Sequence, residues 1–70
     1  MIRVQRLEKG TYFDNAYMIS FRYDPSTVAK VKELAQRRYL PEERAWEIPD
    51  YELPNLIEKV GLSNIDADEA

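Results

Sequence analysis

The side chains with the most chemistry to offer surround a short proline turn. Arg37 and Arg38 precede Pro41, Arg44 follows it, and Tyr39 stands between them. A guanidinium presents its donors as a planar fork that fits two phosphate oxygens at once, and an aromatic ring offers a face on which a base can stack. Lys32, on the segment before, extends this positive group. Arg22, with Arg3, forms a second candidate surface on an open sheet face. The candidate nucleic-acid contacts are therefore Arg37, Arg38, Tyr39, Arg44, Lys32 and Arg22. Trp46 also offers stacking, but it shares a strand face with Ile48 and is assigned to the core, as are Phe21 and Tyr23. The opposing reading of the arginines is a solvated charge group in which Arg44 pairs with Glu42 or Glu43.

Other chemistry is missing from the residue list. With no histidine and no cysteine, zinc ligands and Cys-His or Ser-His nucleophile pairs cannot be assembled. Two glycines do not make a phosphate-cradling loop, and neither a P-loop nor a dinucleotide fingerprint is present. Glu42 and Glu43 are adjacent in a tight turn, where carboxylates ordinarily face water. The expectation is a protein that is not an enzyme, with no catalytic residues, no metal and no cofactor.

The elements that must hold these side chains are readable from pattern. Residues 2–7 alternate apolar and polar, as a half-buried strand does. Lys9-Gly10 and Asp14-Asn15 both signal a turn, and which of them closes the first hairpin stays open. Residues 16–23 form the clearest strand, with Tyr17, Ile19, Phe21 and Tyr23 on one side and Met18, Ser20 and Arg22 on the other. Asp24-Pro25 starts a helix, the carboxylate accepting from orphan amides and proline sitting at the first helical position. That helix is expected to reach Gln36, with Val28, Val31, Leu34 and Ala35 as its buried stripe. A second hairpin follows, residues 37–40 and 45–48 around Pro41. Leu53, Leu56, Ile57 and Val60 then recur at helical spacing, with Pro54 in the first turn and Gly61 as a left-handed cap onto which Leu62 can fold back.

The order is strand, strand, helix, strand, strand, helix: an α+β, two-layer domain with a mostly antiparallel sheet and two helices packed on one face. Residues 1–62 make one folded unit, and 63–70 read as an acidic flexible tail or linker. A chain of 70 residues, 44% hydrophobic and 33% charged, suits one small globular domain with a thin core. No apolar run is long enough to span a bilayer, so no membrane partner is expected. The location expected is the cytoplasm, at the nucleoid in a bacterium or phage-infected cell, or the nucleus in a eukaryote. A monomer is expected. The net charge of −3 divides into an acidic tail and a neutral body, which leaves room for one basic face.

Residues 23–49 carry a more specific pattern: Tyr23-Asp24-Pro25, Val31-Lys32, Arg37-Arg38-Tyr39, Pro41-Glu42 and Ala45-Trp46-Glu47-Ile48-Pro49. This resembles the HARP (HepA-related protein) domain, found beside the motor of Swi/Snf-like annealing helicases and in related bacterial and phage helicases. Two positions depart from that pattern: Ala35-Gln36 replace a Pro-Gly or Pro-Ser break, and Leu40 replaces Asp or Asn after the tyrosine. The resemblance implies a non-catalytic accessory module for DNA repair or strand annealing. Such a module recognises forked DNA or single-strand/double-strand junctions, with an adjoining or partner helicase ATPase. The alternative is a protein-interaction or intramolecular regulatory domain that docks on an ATPase motor by its sheet face.

Overall fold

Alternation decides the sheet. A computed structural model describes residues 2–67. Its elements are β1 (Ile2–Leu7), β2 (Ala16–Ser20), α1 (Pro25–Lys32), β3 (Arg38–Leu40), β4 (Ala45–Pro49), α2 (Leu53–Val60) and β5 (Ile65–Ala67). Short 3-10 turns lie at Asp50–Glu52 and Leu62–Asn64. The strands are ordered β3-β4-β2-β1-β5. All neighbours pair antiparallel except β1 and β5, which run parallel.

Register places Val4 beside Ile19 and Tyr17 beside Ile48. Side chains two apart along a strand share a face, so Ile2, Val4, Ile19 and Ile48 line one side. Val31 and Leu34 from the α1 segment and Leu56 and Val60 from α2 close over them as a single core. The fold is therefore the α+β domain anticipated, with both helices on one face. Leu56 is fully buried, and truncating it to alanine removes about 2–5 kcal/mol by lost transfer energy and a residual cavity.

Three boundaries and one contact differ from expectation. Strand β2 ends at Ser20, so Tyr23 is not an inward residue but lies 77% exposed. Helix α1 stops at Lys32 and Ala35 is exposed, because the chain tightens there: Glu33 and Leu34 donate their amides to the Lys30 and Val31 carbonyls. The next loop is fixed by Glu52, 3% exposed, whose carboxylate accepts the Gln36 amide and the Asn55 side-chain amide, both at 2.8 Å. Leu62 is exposed rather than folded on Ile57. The segment from Ser63, expected as a tail, joins the sheet: Gly61, at φ 88°, turns the chain so that Ile65 pairs with Ile2 along β1. The acids Asp68 and Glu69 lie outside the described residues.

Neither turn signal closes a tight first hairpin. Residues 8–15 instead form a loop that folds back on the sheet face opposite the helices. It is held there by Glu47, which is fully buried although polar. The Thr11, Tyr12 and Phe13 amides donate to its two carboxylate oxygens at 2.9, 2.8 and 2.8 Å. A buried carboxylate is tolerable only when its oxygens are so engaged.

Candidate nucleic-acid interface

The β3–β4 hairpin displays different chemistry on its two faces. On the helix side, Tyr39 lies across from Trp46 in register, with ring centroids 5.1 Å apart and planes at 61°, an edge-to-face pair. Phe21, one step beyond β2, continues the apolar surface, and α1 borders it with Val28 and Lys32. Tyr23 and Arg44 complete a groove of about 640 Å³. Four aromatic rings and two cations therefore face one concavity. It stays open because α1 is only eight residues long and β3 is the outermost strand.

Arg44 reaches the groove through an unusual backbone. The turn residues Glu43 and Arg44 donate their amides to the Leu40 and Pro41 carbonyls, and Arg44 sits at φ 53°. That left-handed conformation favours glycine and costs a residue with a β-carbon about 1 kcal/mol. No carboxylate lies within ion-pair distance of its guanidinium among the described residues. Pairing with Glu42 or Glu43, the bland reading, does not occur.

The basic group expected around Pro41 does not gather on one patch. Lys32, Tyr39 and Arg44 line the groove. Arg38 cannot join them, because it neighbours Tyr39 on a strand and successive side chains point to opposite faces. It lies instead over the Tyr12 ring, 5.7 Å from its centroid, on the reverse side. Arg37 is half-buried and donates to the Leu34 carbonyl at 3.0 Å, bracing the turn that follows α1. Arg22 is exposed but does not line the groove. Conversely, Phe21, Tyr23 and Trp46, assigned to the core by pattern, form the groove wall. Phe21 and Trp46 are half-buried against the core, so each serves both roles. The signal for them in the sequence is aromatic density beside the basic pair.

The reverse face is divided. The loop covers Glu47, and the small residues Ala16 and Ala45 of the same face are each 1% exposed. Beyond it Arg3 and Gln5 are exposed, and Met18 and Ser20 half-buried.

No group of histidine, cysteine and acidic side chains able to hold a metal occurs among the described residues. No helix among them is long and apolar enough to cross a membrane. Comparison with protein-family models, with curated proteins and with solved structures finds no match to this chain.

Proposed function

We propose that this domain is a non-catalytic nucleic-acid-binding module that takes a short run of single-stranded DNA, as exposed at a fork or junction, into the aromatic groove. The observation that carries the reading is the convergence of Phe21, Tyr23, Tyr39 and Trp46 with Lys32 and Arg44 on one open concavity. Rings provide stacking faces that tolerate any base, each stacked base contributing about 1–3 kcal/mol, while the two cations engage phosphates. The left-handed Arg44 supports it further. Strained conformations persist where the surroundings impose them and often mark functional positions. The resemblance of residues 23–49 to HARP domains fits the same role, beside a helicase ATPase and in DNA repair or annealing.

The two groove cations alone set the smallest expected salt dependence. With about 0.7 counterion released per phosphate on a single strand, affinity falls roughly sevenfold between about 50 and 200 mM salt. The test is fluorescence anisotropy with labelled oligo-dT, forked and duplex DNA at low salt, alongside the emission of Trp46, the single tryptophan. Forked and single-stranded DNA are expected to bind and to quench Trp46. Absence of binding to all three at about 100 μM protein overturns the reading. Chemical-shift changes on Gln5, Met18 and Ser20 with an ATPase fragment, and none with DNA, would favour docking on a motor by the sheet face.

A further inference from the structure

The Glu47 carboxylate stands between two partners that exclude one another. Arg38 is directly across from Glu47 in the β3–β4 register, and both side chains project from the face opposite the helices. Opposite charges directly across an antiparallel pair ordinarily join, their β-carbons being about 5 Å apart. Here they do not. Both carboxylate oxygens are occupied by the Thr11, Tyr12 and Phe13 amides, and the Arg38 guanidinium is turned outward onto the Tyr12 ring. Arg38 is left exposed, with no carboxylate in ion-pair distance among the described residues.

We infer that the loop of residues 8–15 is a latch that governs whether Arg38 is available. With the loop closed, Glu47 is satisfied by backbone amides and Arg38 faces outward, free to meet an external anion. With the loop open, Glu47 loses its three donors, and the arginine directly across the strand is placed to replace them. Either state leaves the carboxylate satisfied, which an apolar residue at 47 would not require. An anion on Arg38 therefore favours the closed loop by mass action, since it binds one state only. On the nucleic-acid reading, on which this last step alone rests, the anion is a backbone phosphate of a strand leaving the groove over the β3 edge.

Gly10 supplies the perturbation. A β-carbon there would overlap Glu47 Oε2 and lie 2.6 Å from its Cδ. The carboxylate is enclosed and hydrogen-bonded, so it has little freedom to yield. Gly10→Ala is therefore expected to lift the loop without altering Arg38 or the groove. Proton-exchange NMR on the full chain reads both partners. The Thr11, Tyr12 and Phe13 amides should lose protection, while the Arg38 Nε–H, fast-exchanging in the original chain, becomes protected. Adding Glu47→Gln should return it to fast exchange.

An Arg38 Nε–H that stays fast-exchanging when the loop opens overturns the exchange of partners, and loop amides that keep their protection in Gly10→Ala overturn the latch. If Gly10→Ala folds poorly, Phe13→Gly, which removes the loop's half-buried ring, opens it by another route with the same expected readings. Oligo-dT binding supplies the second arm. The salt slope should fall by about 0.7 in Gly10→Ala, with no further fall when Arg38→Gln is added. A failure of all oligonucleotide binding sinks the nucleic-acid reading alone, because the Nε–H comparison still decides the latch.

Discussion

The two faces of the β3–β4 hairpin are built from the same few residues and used in opposite ways. On the reverse face the buried polar group is fully engaged: both oxygens of Glu47 accept backbone amides from the loop. On the groove face the chain leaves interactions unmade. Tyr23 is 77% exposed, Arg44 has no carboxylate partner among the described residues, and its backbone is strained. Within the hairpin, one side is closed by the loop and the other left open, separated by the thickness of a single sheet. A domain this small, with total stability on the order of 5 kcal/mol, gains from such a division. Changes to one face need not disturb the other.

The strongest challenge to that division is Glu47→Ala. It removes the acceptor for three amides, and the loop either exposes them to water or leaves them unpaired. Hydrogen bonds to a charged group contribute about 1.5–3 kcal/mol each, but loop relaxation recovers part of this. The expected loss is about 3 kcal/mol, measured by urea denaturation. A loss under about 1 kcal/mol would show that the loop is not held by Glu47.

Arg44→Gly should do the reverse. Glycine accepts φ 53° without steric penalty, so the domain should gain about 1 kcal/mol while oligo-dT affinity falls roughly fivefold for a lost charged contact. A variant that is less stable than the original, or that binds equally well, would place Arg44 among ordinary turn residues. Smaller again is Arg38→Gln. Removing an exposed cation from the Tyr12 ring should lower stability by about 0.5 kcal/mol, with the groove unaltered by Trp46 emission.

The division between faces also explains what could be read beforehand. Strand β1 and helix α2 follow one rule throughout their length, period two and period 3.6, and both occur within a residue or two of expectation. Tyr23 misleads because alternation continues past Ser20 in residue type, while the chain has already left the sheet to begin α1. Glu47 misleads in the opposite sense. As the polar member of Trp46-Glu47-Ile48 it reads as solvent-facing, and its donors lie 34 to 36 positions away in sequence. No local pattern reports a contact of that range. Ala16 and Ala45, small residues on the same face, are the trace it leaves. The basic residues around Pro41 separate for a simpler reason: Arg38 and Tyr39 are neighbours on a strand, and neighbours cannot share a face.

The finest test contrasts Glu47 with Asp24, the carboxylate at the start of the groove-side helix. The Asp24-Pro25 pair predicts a carboxylate that accepts from the amides of the first turn. Its carboxylate instead accepts the Thr27 hydroxyl at 2.7 Å, while the Val28 amide reaches its backbone carbonyl at 2.9 Å. The hydroxyl is the largest influence holding its pKa below the ordinary 3.8; slight desolvation opposes it, and the nearby Ser26 and Thr27 amides and Lys30 assist. Neither amide closes a capping hydrogen bond of good geometry. Because the folded value is depressed, the stabilisation is complete above the unfolded value and disappears as pH falls through the folded one. Thr27→Ala should therefore move the Asp24 midpoint upward toward 3.8 in an NMR titration. Its stability difference from the original chain should be constant well above 3.8 and should close as pH falls through the depressed folded value. Being fully exposed, Asp24 is screened by water where Glu47 is not, so the effect on stability should be far smaller than that of Glu47→Ala. An unmoved midpoint would mean that the Thr27 hydroxyl faces solvent, leaving the groove-side helix to start on Pro25 alone.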